Sequence, residues 1–148
     1  MKLFAAPDEP RQAHFKQFEL DSWIDNSPFE CLVGVNIVDA ADGRAVLTLP
    51  FTLKLANGGG VMHGGALTTL ADTAVVMAIK SLVAEGTQFA TTKLTMEFLA
   101  PVLEGTVTAR AHVTGPEEHI FHGKSELYGD NGEMFAMMSC VFKVLRPR

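Results

Sequence analysis

The residues of this chain whose types and spacing could do chemistry lie between positions 57 and 72. They read Asn57-Gly58-Gly59-Gly60-Val61-Met62-His63-Gly64-Gly65, followed by an apolar run broken by one acid, Asp72. Glycines lack a Cβ and let the backbone come close to a ligand. From Ala66 onward, Leu67, Leu70, Ala71, Ala74, Val75, Ala78, Ile79 and Leu82 recur at intervals of three and four. That spacing predicts a helix over 66–83, apolar almost all round. Its N-terminus would present unpaired N–H groups and a partial positive charge, which suits polarising a carbonyl. An ionised acid in the middle of such a helix is costly to bury without partners. Either Asp72 faces a polar gap or pairs with Thr68, Thr69 or a distant lysine, or it is held for proton transfer or attack. Polarising amides and a carboxylate on one element are the parts of a hydrolase.

Gly64 and Asp72 are eight residues apart, or about 12 Å along a helix axis. One chain cannot easily bring both to the same carbonyl. Two copies with antiparallel helices could, each supplying the helix start for the other's acid, so the spacing predicts a homodimer with shared sites, and dimer versus homotetramer stays open.

The set Asn57, Gly60, His63-Gly64-Gly65 and Leu70-Ala71-Asp72, followed by Phe98-Leu99-Ala100-Pro101 and Gly105, resembles the hotdog-fold acyl-CoA thioesterases of the phenylacetic-acid-degradation (PaaI-like) type. The resemblance runs over residues 26–145. It implies an α+β hotdog fold, with about six antiparallel strands wrapped around one long central helix, in a single domain over 1–148. The activity it implies is hydrolysis of an acyl-CoA thioester to a carboxylic acid and CoA. The Gly64 amide, with Gly65, would polarise the carbonyl, and Asp72 of the partner chain would activate a water or attack directly. Asn57 would contact the thioester or the water. The resemblance also places a hydroxyl near the start of a later strand, at Thr91 or alternatively Thr92, to orient the water or Asp72. His63 is expected to fix the loop and helix start by a hydrogen bond. Gly60, Val61 and Gly65 would meet the substrate, and Phe29, Leu32, Val75 and Met77 are candidates for its acyl pocket. The CoA thioester is the substrate, and no metal or redox cofactor is required. Lys93, Arg110, Lys124, Lys143 and Arg146 are candidates for the CoA phosphates. The chain departs from many relatives at Gly58, where they carry proline.

The elements that must position these residues follow from periodicity. Phe15, Phe18 and Trp23 suggest an amphipathic helix over 10–25, ended by Asn26-Ser27-Pro28. Strands are expected over 31–39 and 44–50, joined by a turn at Ala41-Asp42-Gly43. After the central helix, 89–100 reads as a strand with Leu94, Met96 and Phe98 facing the helix and Thr91, Lys93, Thr95 and Glu97 facing away. Alternation continues over 105–114. Gly115-Pro116 reads as a turn, 117–128 as a strand, Gly129-Asp130-Asn131-Gly132 as a hairpin, and 133–145 as a strand apolar on both faces.

Composition excludes several classes. A length of 148 residues suits one core, and 47% hydrophobic with 20% charged residues is the balance of a folded soluble chain. A net charge of −5 argues against a nucleic-acid partner, which wants a basic face. Cys31 and Cys140 form no disulfide framework and read as reduced core residues of a cytoplasmic protein. The start does not read as a signal peptide, and the longest apolar run holds His63 and Asp72, which excludes a plain membrane span. His119 and His122 would point to opposite faces of a strand and so not share a metal, while His14 and His112 read as surface residues. There is no Gly-x-Ser-x-Gly elbow, phosphate loop or dinucleotide fingerprint. Two alternatives to hydrolysis stay open: a non-catalytic acyl-CoA or acyl-carrier binding protein on the same fold, and a hotdog dehydratase, whose loop chemistry this chain lacks.

Overall fold

The computed structural model describes residues 1–146. Its elements in chain order are β1 (Lys2–Leu3), β2 (Phe18–Glu19), α1 (Pro28–Val33), β3 (Asn36–Ala41), β4 (Arg44–Pro50), a short 3-10 turn (Leu53–Leu55), α2 (Gly64–Lys80), β5 (Phe89–Phe98), β6 (Thr106–Glu117), β7 (Ile120–Tyr128) and β8 (Met134–Val144). Six strands form one antiparallel sheet in the order β3-β4-β6-β7-β8-β5, and β1 pairs with β2 apart from it. α2 lies in the hollow of the large sheet. Its Leu70, Ala71, Ala74, Val75, Ala78 and Ile79 are fully buried against inward side chains such as Leu47, Leu49, Val107, Ala109, Phe121 and Leu127. At roughly 25 cal/mol for each Å² of apolar surface removed from water, this interface is the main source of cohesion. The expected sheet around one central helix is thus the observed one.

Two hairpins match their sequence signals. Asp42 and Gly43 carry φ of 51° and 76° between the paired Ala41 and Arg44, the two positive values that a two-residue hairpin needs. At the other, Gly132 has φ 82° and its N–H donates to the Gly129 carbonyl at 3.0 Å.

Elsewhere the boundaries differ from expectation. The extra N-terminal helix is present, but at Pro28–Val33 and not over 10–25. In the earlier stretch, side chains take the backbone groups a helix would need. The Gln17 Oε1 accepts from the Gln12 N–H at 2.7 Å, the Arg11 guanidinium donates to the Phe15 carbonyl at 3.0 Å, and Asp25 accepts from the Asp21 N–H at 3.1 Å. Phe15, left without a core to meet, is 65% exposed. Asn26-Ser27-Pro28 starts a helix instead of ending one, because proline at the first helical position loses no hydrogen bond and has a suitable φ. The strand expected from 31 therefore begins only at Asn36, and Cys31 is exposed on α1 while Cys140 is buried. Gly115-Pro116 lies inside β6 at a register shift, and the reversal into β7 is made by Glu118 and His119, with φ of 50° and 70°.

The segment before α1 is tied to the far end of α2. The Trp23 Nε1–H donates to the Lys80 carbonyl at 3.0 Å, Lys80 Nζ donates to the Trp23 carbonyl at 2.9 Å, and the ammonium lies 4.7 Å from the indole ring centre. This satisfies one of the carbonyls that a helix end leaves open.

Candidate active site

The glycine loop is held by its own polar groups. The Asn57 N–H donates to the Val61 carbonyl at 2.8 Å, and the Asn57 side-chain oxygen accepts from the Gly59 and Val61 amides at 2.9 and 3.3 Å. Gly60 turns the chain with φ 84°. Asn57 thus spends its carbonyl oxygen on shaping the loop, and only its amide nitrogen is left to meet a ligand.

At the loop's end, His63 is the N-cap of α2. Its Nδ1 accepts from the Gly65 N–H at 2.8 Å, and its own N–H donates to the Leu55 carbonyl at 2.7 Å. The histidine fixes the helix start as expected, but in doing so it occupies the Gly65 amide, which is therefore not the second donor to substrate that the resemblance implies. The Gly64 amide has no acceptor among the described residues. It opens beside a groove of about 340 Å³ lined in part by Val61, Leu67, Phe98 and Pro101. A Cβ on Gly64 would stand 3.2 Å from Cζ of the Phe98 ring, so a glycine lets the ring close down on the helix start.

Asp72 is half-buried two turns further along. Thr68 and Thr69 do not pair with it, because their hydroxyls bond back to the Gly64 and Gly65 carbonyls, each at 2.8 Å. Its partner is Thr91, whose hydroxyl donates to Asp72 Oδ1 at 3.0 Å. Burial pushes the carboxyl above the ordinary aspartate range, Thr91 pulls it back, and the charge of Glu30 on α1 pushes it up again. Cys140 stands in the same field. Burial first and Asp72's charge second raise its thiol to about 12, so it is an inert packing group and not a nucleophile.

Thr91 reaches Asp72 because of an irregularity that alternation cannot show. Thr91 pairs with Phe142 and Lys93 with Val141, leaving Thr92 as an extra residue in β5. A β-bulge shifts the side-chain parity by one. Thr91 therefore shares the inward face with Leu94, Met96 and Phe98, and does not face away with Lys93, Thr95 and Glu97. Thr92, the fallback, donates to the Val141 carbonyl at 3.1 Å instead.

The remaining site expectations fall out as follows. Val75 and Met77 are fully buried, Val75 beside Gly123, and neither borders the groove at Gly64. Phe29 and Leu32 stand out from α1, 59% and 68% exposed. Lys93, Arg110, Lys124 and Lys143 are exposed on the outer face of the sheet, away from α2. Among the described residues no three His, Cys, Asp or Glu side chains gather as a metal site, and no helix is long and apolar enough to cross a membrane. Glu30 and Cys140 were missed as neighbours of Asp72. Only the sheet register and the packing of α1 bring them there.

Residues 59–135 match the thioesterase superfamily, and the chain belongs to that family. It is 38% identical over 82 residues to the Escherichia coli acyl-coenzyme A thioesterase PaaI, covering 55% of this chain and 56% of that one. A Halobacterium salinarum protein is 34% identical over 99 residues, covering 64% and 65%. The chain thus spans less than two thirds of either of these relatives. Among solved structures, a conserved Pseudomonas aeruginosa protein superposes with a TM-score of 0.77 at 30% identity, over 81% of this chain and 95% of that one. The Escherichia coli PaaI protein of the phenylacetic acid degradation operon gives 0.74 at 28% identity, over 82% and 86%. The architecture is the hotdog fold.

Proposed function

We propose that the chain hydrolyses acyl-CoA thioesters as a homodimer in which each site is built from two copies. The observation that carries this is the division of labour along α2. An amide without an acceptor among the described residues sits at its start and a hydroxyl-supported carboxylate two turns on, separated by about 12 Å of helix. In an antiparallel pair, the Gly64 N–H of one copy would bind the thioester oxygen as negative charge develops there, helped by the helix dipole. Asp72 of the other copy, oriented by Thr91, would take a proton from water as it attacks, or attack the carbonyl itself to give an anhydride that water then opens. Either route releases the CoA thiol and a carboxylic acid. His63 acts as a positioning residue by holding the first turn, and Asn57 shapes the loop and offers its amide nitrogen to the thioester. The family match and the relative named as an acyl-coenzyme A thioesterase support this reading. A binding protein without chemistry would have no use for a carboxylate whose burial opposes its own ionisation.

The test is release of free thiol from acetyl, medium-chain, long-chain, phenylacetyl and benzoyl CoA thioesters by wild type and Asp72→Asn. Turnover by wild type alone supports the assignment, and the panel names the acyl class. Binding of all the thioesters without thiol release by wild type overturns it.

A further inference from the structure

On the face of the sheet turned away from α2, we infer a second binding site, one for a phosphate-bearing small molecule. A groove of about 460 Å³ crosses the outer side of β5, β6, β7 and β8. Two of its lining side chains, Lys93 and Lys124, are cationic, and two more, His112 and His122, carry imidazole N–H donors. Three more, Thr95, Thr114 and Ser139, carry hydroxyls, and no carboxylate lines it. The register explains the convergence. His112 pairs with Lys124, Lys124 with Ser139 and Ser139 with Thr95, so these four form one row across the sheet. Thr114, His122, Val141 and Lys93 form the next row. Neighbours in a row are about 4.8 Å apart and the rows about 6.6 Å apart.

The row continues beyond the groove, because Arg44 lies opposite His112, which lies opposite Lys124, so two permanent cations flank an imidazole on one line across the sheet. Among the described residues none of Arg44, Lys93 or Lys124 has a carboxylate within 4.0 Å, and none of the seven polar lining groups has a side-chain hydrogen bond. Carboxylates stand in the adjoining rows, Glu97 and Glu126 on one side and Glu117 on the other, and Glu126 is engaged by the Tyr128 hydroxyl. In a chain of net charge −5, donors without acceptors have thus been gathered in one place. A tetrahedral dianion accepts from several donors at once and neutralises the row. Binding there does not depend on thioester hydrolysis, since the groove lies on the opposite face from Asp72 and Gly64.

The experiment is calorimetric titration of the full chain with pyrophosphate, adenosine 3′,5′-bisphosphate and coenzyme A, together with the NMR signals of His112 and His122. The expected result is that pyrophosphate and the bisphosphate bind and move both histidine signals. Lys124→Glu or Lys93→Glu should weaken them by about tenfold or more, as expected for loss of a charge-assisted hydrogen bond. Lys2→Glu, with the same change in net charge, should leave binding intact. Lys124→Gln keeps the test valid if charge reversal unfolds the sheet. Competition between coenzyme A and pyrophosphate, with a higher KM for acyl-CoA but not for an acyl-N-acetylcysteamine thioester in Lys124→Gln, assigns the site to the nucleotide end of the substrate. Simultaneous binding of both assigns it to a free phosphate ester. The inference is overturned if neither probe moves the histidine signals, or if the Lys124 variants bind both as wild type does. It is equally overturned if wild type binds neither and Lys124→Glu instead changes the molecular mass in light scattering, which would make this face a contact between copies.

Discussion

The part of the sheet beneath α2 and the part at its β5 edge carry the same inward pattern of apolar residues, yet only the first is closed. Leu47, Leu49, Val107 and Leu127 are fully buried, whereas Leu94 and Phe98 on the inward face of β5 are 37% and 55% exposed. Asp72 and Thr91 sit at the seam between the two parts. One helix is wide enough to cover β4, β6 and β7 but not the edge strand, and the proposed second copy would cover what remains. The difference teaches that core and site are separate uses of one pattern: burial within the chain holds the fold, and burial between chains would complete the chemistry.

The comparison is most directly broken at Asp72. Asp72→Asn should lower thiol release about 10²–10⁴-fold, the usual contribution of a positioned base, while raising the melting temperature at neutral pH. The sign follows from linkage. Burial raises the folded-state pKa, so the folded protein holds this proton more tightly than the unfolded chain, and stability is lost as pH rises through that pKa. The neutral amide escapes that loss, and its advantage should shrink in melts at acid pH. An unchanged rate would remove the acid from the mechanism.

Phe98→Asp tests the open part. Light scattering should report a single-chain mass, and thiol release should fall about 10²-fold, the scale of a misplaced reacting group, with the circular dichroism spectrum kept. If the variant stays paired and active, β5 is not where copies meet.

Stability should separate the two parts next. Leu127→Ala, in the closed part, should cost about 2–5 kcal/mol in denaturant melts. Leu94→Ala should cost well under half of that when the chain is studied as a monomer, since its side chain has less surface to lose. Equal costs would mean that the edge strand is covered within one chain.

The smallest effect is expected at the seam itself. Thr91→Val removes the one hydrogen bond among the described residues that favours the ionised Asp72. The acid limb of the kcat/KM profile should move to higher pH, with the rate at neutral pH down about tenfold, the scale of a charge-assisted hydrogen bond.

Much of this arrangement was legible before any coordinates. The three- and four-residue spacing from Leu67 to Ile79 marks the central helix, and the glycines before it mark a helix start open to ligand. Asp42-Gly43 and the 129–132 turn state their own geometry. The roles proposed for Gly64 and Asp72 come from residue type and spacing, and the placing of a hydroxyl beside the acid at Thr91 from family resemblance. What was not legible depends on contacts distant in sequence. Thr92 bulges because β8 pairs on either side of it, and nothing in Ala90-Thr91-Thr92-Lys93 announces the change of face. Ser27-Pro28 is ambiguous on its face, since proline both ends and begins helices. Glu118-His119 lacks glycine, so the nearby Gly115-Pro116 draws the turn to the wrong place. Asn57 and His63 were placed correctly in the loop, but how they divide the Gly59, Val61 and Gly65 amides depends on how the loop folds.

The clasp between Trp23 and Lys80 has a practical consequence. Trp23 is the chain's one tryptophan, so its emission is an optical gauge of a single event: the docking of the N-terminal segment on the last turn of α2. Its ring sits under an ammonium and its indole N–H is engaged. Release of the segment would expose both to water and shift the emission to the red, without a label and without disturbing the other end of the helix, where substrate would bind.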